Sequence, residues 1–249
     1  MRALLLLTLL VPLSLSTGCA HLGARDRQTV AEQYELGLTL MGRGQYVRAL
    51  EQFNRVRNYH RDDPHAVKAE LAIGDVYFKK AEWDQARVAY EDFARMHPRH
   101  PDLDYVVYKV GLSMYKKAPK APGRDQTWTK HSVNSWSGFS SRFPDSTHRD
   151  EVEGKLTECR ERLANKELRI AGFYKRRKAW PAVSSRAEGL FRVYPKSASA
   201  RQGLVLLAEA SAWQGERAKA DLAIEKLRSL DPAAADQAAA AIALIPAQD

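Results

Sequence analysis

The chain has 249 residues, a length that fits one large domain or two small ones. Hydrophobic residues make up 45% of the sequence and charged residues 28%, a balance typical of globular proteins that argues against a disordered or collagen-like chain. The formal net charge is +9, and the two cysteines, Cys19 and Cys159, are too few for a disulfide framework or a paired-cysteine zinc site.

The N-terminus has the organisation of an export signal. Arg2 supplies a positive charge, and the apolar stretch from Ala3 to Leu15 suits the core of a signal peptide but is too short to span a membrane. The sequence Ser16-Thr17-Gly18-Cys19 then resembles the lipobox of bacterial lipoproteins. This resemblance implies a signal peptide at residues 1–18 and lipidation of Cys19. An ordinary secretory signal cleaved near Ala20 is the alternative.

The remaining sequence repeats a pattern typical of helical hairpins. In the clearest copy, a small residue is followed at set spacings by aromatic and small residues and then by a closing proline, a pattern typical of tetratricopeptide repeats. These positions are Gly74, Tyr77, Trp83, Ala86, Tyr90 and Pro98. The same template fits around Gly37 upstream and around Gly111 downstream.

Five such hairpins are predicted, and together they define the expected fold. Their closing prolines are Pro64, Pro98, Pro144, Pro195 and Pro232. A long first helix over 149–175 is expected in the fourth hairpin, and an alanine-rich helix over 233–244 is expected to cover the last apolar face. The prediction is an all-α solenoid, a right-handed superhelix with a concave surface, because one hairpin cannot bury its apolar face alone.

Two irregular segments interrupt the repeats. The stretch from Lys116 to Thr129 contains two prolines, a glycine and several basic residues, which predicts a loop that serves either as a functional element or as a solvent-exposed insertion. The segment from His97 to Asp104 is rich in histidine and aspartate, but its prolines indicate a turn. A cap on the next helix by Asp102 or Asp104 therefore explains the acids better than a metal site does.

Few features of the sequence favour catalysis. Phosphate-binding and hydrolase motifs are absent, and Cys159 falls in a helix where a small buried side chain is expected. The basic run Lys175–Lys178 predicts either a solvated turn or a contact with an acidic partner. We therefore expect a protein that is not an enzyme and that needs no cofactor or metal. Export makes nucleic acid an unsuitable partner despite the positive charge.

The motifs at the hairpin junctions, in this order, resemble the BamD (YfiO) family of lipoproteins of the outer-membrane β-barrel assembly machinery. The resemblance extends from about Gln33 to Leu230 and includes Arg124-Asp125 in the loop. Its most specific motifs are His97-Pro98-x-His100-Pro101-x-x-Asp104-Tyr105-x-x-Tyr108-x-x-Gly111-Leu112, Phe143-Pro144-x-Ser146 and Phe173-Tyr174-x-x-Arg177-x-Ala179-Trp180-x-Ala182-x-x-x-Arg186-x-Glu188.

The resemblance implies a scaffold held under the outer membrane by its lipid anchor and facing the periplasm. Residues 19–32 would form the lipidated N-terminus and a linker, and residues 146–249 would bind the periplasmic POTRA region of the barrel protein BamA. Arg186 is the position that matches the family's BamA-contacting arginine, with Glu188 nearby. An arginine suits this role because its guanidinium can pair with a carboxylate through two hydrogen bonds. The alternative for Arg186 is an ion pair within the chain, with Glu188 or a neighbouring repeat.

The N-terminal hairpins, residues 33–145, would receive the unfolded outer-membrane β-barrel proteins. Tyr34, Tyr46, Tyr77 and Tyr108 are the candidates for an aromatic lining of that surface. The alternative is that several of these tyrosines pack in the hairpin core. Other assembly lipoproteins are further partners that the resemblance implies.

Two other functions are compatible with the sequence. A tetratricopeptide lipoprotein of this kind can act as a pilotin or a cell-envelope adaptor for a secretin or for cell-wall machinery. A periplasmic hydrolase with an unrecognised site is a weaker alternative, and it requires a buried acid and base facing a cleft.

The lipid anchor gives the first prediction. We expect Cys19→Ala to convert the protein into a soluble periplasmic form, because the modified side chain and amine are lost with the cysteine. Fractionation of cells with and without detergent measures this. Continued dependence of the variant on detergent for extraction would argue against lipidation.

Overall fold

The computed structural model describes residues 28–246, and in this range it contains twelve α-helices and no β-strand. The predicted signal peptide and Cys19 lie outside the described residues. The helices are α1 (Val30–Gly42), α2 (Tyr46–Tyr59), α3 (Pro64–Lys79), α4 (Trp83–Met96), α5 (Leu103–Lys117), α6 (Thr127–Trp136), α7 (Phe139–Arg142), α8 (Arg149–Arg176), α9 (Trp180–Val193), α10 (Ala198–Trp213), α11 (Arg217–Arg228) and α12 (Pro232–Ala243). The all-α prediction is confirmed.

The contacts divide the chain into two units, residues 1–69 and residues 70–249, and the division falls inside α3. Successive helices pair as tetratricopeptide-like hairpins: α1 with α2, α3 with α4, α5 with α6, α8 with α9, and α10 with α11. The short α7 packs against α8. The functional division predicted between residues 145 and 146 stays a prediction.

In the first unit, α1 and α2 form one hairpin with a well-defined start and centre. Thr29 and Glu32 form a reciprocal capping box, in which the Thr29 N–H donates to the Glu32 carboxylate at 2.9 Å and the Glu32 N–H donates to Thr29 Oγ1 at 3.2 Å. At the centre, the Phe53 ring packs against Gly37, where a Cβ would lie only 2.6 Å from the ring. Only glycine therefore fits at this position of α1.

The second unit repeats this contact between a glycine and a large side chain. A Cβ at Gly74 would lie 2.7 Å from the Tyr90 ring, and a Cβ at Gly111 would lie 2.3 Å from the Trp136 indole. Tyr90 and Trp136 are fully buried, so the glycine allows two helices to approach closely around a large apolar side chain. These glycines occupy the small-residue position of the repeat template that the sequence analysis identified.

The turns inside four hairpins share one backbone conformation. Gly44, Ala81, Lys178 and Gly215 have φ angles of 73°, 60°, 57° and 76°. In each case the next residue donates its N–H to a carbonyl five residues earlier, which closes the C-terminus of the preceding helix. Two of the four positions hold glycine, while Ala81 and Lys178 adopt the left-handed conformation at a steric cost.

The second helix of the third hairpin is divided in two. Gly138 has a φ of 77° and separates α6 from the short α7, so Trp136 and Phe139 lie on different helices and Phe143 follows the second one. All three aromatic side chains nevertheless pack in or against the same core cluster. The predicted loop is also shorter than expected, because α5 extends to residue 117 and α6 begins at residue 127.

The long helix of the fourth hairpin is confirmed, because α8 runs from Arg149 to Arg176. It packs against α6 of the third hairpin and against α9 and α10. This helix therefore holds together the third, fourth and fifth hairpins. Its end includes the first two residues of the basic run Lys175–Lys178, so only the last two lie in the turn.

The C-terminal helix α12 closes the fifth hairpin, as the sequence predicted. Ala235, Ala238 and Ile242 are buried in one cluster with residues of α10 and α11. The Arg217 guanidinium donates to the carbonyl of Ile242 at 3.0 Å and also to that of Ile245. These bonds attach the chain at the C-terminal end of α12 to the start of α11.

The left-handed conformation of Ala81 predicts that an alanine-to-glycine substitution is stabilising there, although the same substitution inside a helix is destabilising. We expect Ala81→Gly to raise the free energy of unfolding by about 0.5 to 1 kcal/mol, because glycine adopts this conformation without steric cost. We expect Ala89→Gly, in the middle of α4, to lower it by about 1 kcal/mol. Urea denaturation of both variants measures the difference. Equal destabilisation by the two substitutions would contradict the strain at Ala81.

Candidate functional site

The surface of α9 contains both residues that the family resemblance assigns to BamA binding. The helix is fixed at its start by Trp180, whose ring stacks on Trp213 at 5.5 Å and an angle of 4°. Its inner face is buried in the core. Arg186 and Glu188 are two residues apart, so their side chains point to different sides of the helix and do not pair with each other.

Arg186 forms an ion pair within its own hairpin. Its Nη1 atom lies 3.2 Å from Oε2 of Glu167 on α8, and the two side chains are 47% and 30% exposed. The alternative of a pair within the chain is therefore seen, but with Glu167 and not with Glu188 or another repeat. An exposed pair of this kind contributes at most about 1 kcal/mol, so the guanidinium stays available to a partner.

Glu188 connects the fourth and fifth hairpins. Its carboxylate lies 2.6 Å from Nζ of Lys219 on α11, and the same ammonium group lies 3.2 Å from Glu216. The hydrogen bond from Lys219 to Glu188 raises the pKa of Lys219, since it stabilises the charged form. Glu188 therefore helps to fix the position of α11 relative to α9, while its side chain stays partly exposed at the surface.

Two neighbouring cavities lie on either side of a row of α9 residues that both share, Ser185, Gly189 and Arg192. Arg186 lines one of about 340 Å³, and Glu188 lines the other of about 380 Å³, with Arg192 shared between them. The first cavity also contains Lys130 and Lys166. Four cationic side chains against the single carboxylate of Glu167 make this cavity electropositive. The arrangement suits a partner that presents carboxylates.

The two tyrosines predicted in the first unit are half-buried. The Tyr34 ring lies 5.7 Å from the Phe53 ring and 5.6 Å from the His65 ring, so it packs at the edge of the α1–α2 core. Tyr46 is the first residue of α2. Both rings are partly accessible, and their role toward a substrate stays a prediction.

The two tyrosines predicted in the second unit differ from each other. Tyr77 is half-buried, with the Lys80 ammonium 6.0 Å from its ring centroid. Tyr108 is only 8% exposed, donates its hydroxyl to Glu151 at 2.9 Å and stacks on His148 at 4.4 Å. Tyr108 therefore has the core position that was the alternative for these residues.

Tyr105, a residue of the family motif at the start of the third hairpin, is part of a polar junction in the second unit. Asp75 on α3 accepts hydrogen bonds from the hydroxyl groups of Tyr90 at 2.6 Å and Tyr105 at 2.5 Å. The Lys109 ammonium lies 3.5 Å from the centroid of the Phe78 ring, and burial lowers its pKa. Asp75 lies outside the motif, so no sequence pattern indicated that it joins α4 to α5.

The histidine-rich turn is structural, although its aspartates do not act as predicted. The imidazole of His97 lies 2.6 Å from Glu70, and His100 Nδ1 accepts the backbone N–H of Asp102. Asp102 occupies the cap position of α5 without a capping bond from its side chain. Asp104 accepts the hydroxyl of Ser146 at 2.6 Å, which links α5 to the turn before α8. Asp102 therefore stands at the predicted cap position of α5, but its side chain does not make the expected capping hydrogen bond.

The loop between α5 and α6 is held in place by a buried glutamine that sequence reasoning missed. The Gln126 side chain is fully buried and donates to the carbonyls of Pro119, Ala121 and Arg124, the shortest of these at 2.9 Å. Its carbonyl oxygen accepts the hydroxyl of Thr129 at 2.5 Å. A glutamine in a polar segment looks solvent-exposed in sequence, so no pattern indicated this anchor.

Three further observations concern residues 28–246. Cys159 is a free, buried cysteine, as predicted, and burial raises its pKa to about 11. This part of the chain contains no cluster of three or more histidine, cysteine, aspartate or glutamate residues arranged to hold a metal ion. Across the same range, each helix is too short or too polar to cross a membrane.

The family model named YfiO, outer membrane lipoprotein, matches residues 26–227. The match covers all five hairpins except the last residue of α11, together with the cavities on α9. The chain belongs to the YfiO family. The junction motifs of this YfiO protein therefore lie in the region that the family shares.

Curated relatives and a solved structure are similar to this chain. The outer membrane protein assembly factor BamD of Xylella fastidiosa is 28% identical over 240 residues, which is 92% of this chain and 82% of the relative. The factor of the same name from Neisseria gonorrhoeae is 25% identical over 219 residues, 82% of each chain. A tetratricopeptide repeat protein from Parabacteroides merdae has a TM-score of 0.38 at 14% identity, covering 87% of this chain and 73% of that one.

The buried glutamine gives a prediction for the loop. We expect Gln126→Ala to lower the free energy of unfolding by about 1 to 3 kcal/mol, because the Thr129 hydroxyl and the loop carbonyls lose their buried partner. Asp125→Ala is the control, since Asp125 is exposed and accepts only the hydroxyl of Thr127. Thermal unfolding followed by circular dichroism compares the two. An unchanged melting temperature for Gln126→Ala would contradict the anchoring role.

Proposed function

We propose that this protein is a non-catalytic assembly factor for outer-membrane β-barrel proteins, held on the periplasmic side of the outer membrane by a lipid on Cys19. The observation that supports the proposal most strongly is the family match over residues 26–227. Relatives at 25–28% identity bear the name outer membrane protein assembly factor BamD. A scaffold of hairpins suits this activity, because such folds present extended surfaces to other proteins.

The proposed contact with BamA uses the cavity beside α9. Arg186 is half exposed and its partner Glu167 is exposed enough to be displaced. A carboxylate of the BamA POTRA region takes the place of Glu167 in this proposal, and Lys130, Lys166 and Arg192 add positive charge around it. Charge complementarity of this kind favours one orientation of the partner and excludes cationic surfaces.

The proposed contact with unfolded barrel substrates uses accessible rings of the N-terminal hairpins. Tyr34, Tyr46 and Tyr77 are half-buried, so each presents part of its ring and anchors the rest in its own unit. An aromatic side chain of this kind offers a large contact area at a low cost in conformational entropy. Tyr108 has its hydroxyl and its ring engaged within the fold. We therefore assign it to the core and not to the substrate surface.

The test is co-purification of BamA with the lipidated chain from native membranes. A substitution of Arg186 tests the proposed contact most directly. We expect Arg186→Glu to reduce the recovered BamA at least about tenfold, because the substitution places a carboxylate against the partner's carboxylate. Arg160→Glu is the matched control, since Arg160 is an exposed arginine of α8 without an ion pair in the described part of the chain. Equal recovery of BamA with both variants would contradict the assignment of Arg186.

A second variant separates binding from folding. Glu167→Gln removes the partner that Arg186 has within the chain, so we expect BamA to bind equally well or a few-fold more tightly. Co-purification of a secretin without BamA would instead support a pilotin-like adaptor and overturn the proposal.

A further inference from the structure

The C-terminal half of α8 and the turn after it are strongly basic. Between residues 166 and 178 there are six lysine or arginine side chains and one carboxylate, that of Glu167. Arg169, Phe173 and Arg176 are spaced by four and three residues, so they share one face of the helix. Arg169 and Arg176 are exposed, and the ring between them is 41% exposed.

The aromatic ring on this face is held by a neighbouring cation. The guanidinium of Arg177 lies 3.6 Å from the centroid of the Phe173 ring, a cation–π contact that keeps the ring and the charge at the surface together. Lys178 follows in the left-handed turn conformation and is also exposed. The surface therefore combines an apolar ring with four cationic groups.

The loop between α5 and α6 extends this surface. A Cβ at Gly123 would lie 3.6 Å from Nη2 of Arg169, so the loop passes directly beside α8 at this point. Arg124, the next residue, is exposed. We call this surface the basic patch, and its members are Arg124, Arg169, Phe173, Arg176, Arg177 and Lys178.

The charge of the basic patch is not neutralised within the fold. None of its five cations forms an ion pair with another residue of the range 28–246. The carboxylates nearest in sequence are engaged elsewhere: Glu167 pairs with Arg186, and Asp125 accepts a hydroxyl hydrogen bond. Lys175 is the one basic residue of the run at 175–178 that has a carboxylate partner, Glu209.

We propose that the basic patch docks on the anionic phospholipid head groups of a membrane. A cluster of four to eight basic side chains attracts such a surface by about 1 kcal/mol per residue, and aromatic rings favour the head-group level. A basic surface near a lipid anchor strengthens membrane binding, because electrostatic attraction to anionic lipids adds to the burial of the acyl chains. Membership of a family of outer membrane lipoproteins means that a membrane is within reach of the chain.

The basic patch is separate from the surface proposed for BamA. None of its residues lines the two cavities beside Arg186, which are the surfaces proposed above for a protein partner. The inference rests on the family membership but not on BamA or on any client protein. Its test uses vesicles without protein partners, so it can fail while the proposed function holds, and the reverse is also true.

The test is protection of the basic patch from trypsin on vesicles of defined composition. The lipidated full chain is reconstituted into vesicles of phosphatidylcholine alone or with added phosphatidylglycerol. Cleavage after Arg177 and Lys178 is then measured by mass spectrometry relative to cleavage after Lys196, an exposed residue of the turn before α10. We expect cleavage in the patch to be at least about fivefold slower on the anionic vesicles. At about 1 M salt, where the Debye length is about 3 Å, the difference should disappear.

A pair of double variants tests which charges are responsible. Arg124→Glu with Arg169→Glu leaves the cleavage sites intact and should abolish the protection. Arg61→Glu with Arg99→Glu makes the same change in net charge at two exposed turn residues outside the patch and should preserve it. Circular dichroism verifies that both variants fold.

Two results would overturn the proposal. The first is equal cleavage of the patch on neutral and anionic vesicles. The second is protection in native membranes but not on protein-free anionic vesicles, which would assign the patch to an acidic protein partner.

Discussion

A glycine at the contact between paired helices determines how closely the helices of the first three hairpins approach each other. Because glycine has no side chain, each of the helices α1, α3 and α5 can approach an aromatic residue of its partner helix closely. The aromatic side chain is then completely enclosed. The distances to a Cβ at Gly37, Gly74 and Gly111 are all below 3 Å, so no other residue fits without moving the helices apart. The buried area that each aromatic side chain contributes stabilises a pair of helices that are individually too short to be stable in water.

A fold built in this way leaves its outer surfaces free to bind other proteins and lipids. Polar contacts such as the two tyrosine hydroxyls on Asp75 and the ion pair of Glu188 with Lys219 fix how neighbouring hairpins of the second unit meet. The 28 residues of α8 hold three hairpins in one arrangement. Its exposed residues contribute to two of the proposed binding surfaces, the cavity beside α9 and the basic patch. Rigid presentation of charged groups reduces the entropy lost when a partner binds.

The sequence predicted the helices and hairpins well, because the spacing of small and aromatic residues directly reflects how two helices pack. It failed where a side chain acts across a long separation or against the usual behaviour of its type. Gln126 is buried in a polar loop, and Asp75 accepts from Tyr105, 30 residues away. For Arg186, the alternative to BamA binding was a pair with Glu188 or with a neighbouring repeat, whereas the observed partner, Glu167, lies on the facing helix of the same hairpin. Periodicity identifies which face of a helix is buried, but not which polar groups meet across it.

We propose that this chain acts as a scaffold for outer-membrane β-barrel assembly. The most direct test is depletion of the protein in its own cell, followed by quantification of folded β-barrel proteins in the outer membrane by their heat-modifiable mobility in gels. We expect a general loss of folded β-barrels, with unfolded precursors accumulating in the periplasm. A normal set of β-barrels, or the loss of a single secretin alone, would contradict the proposed function.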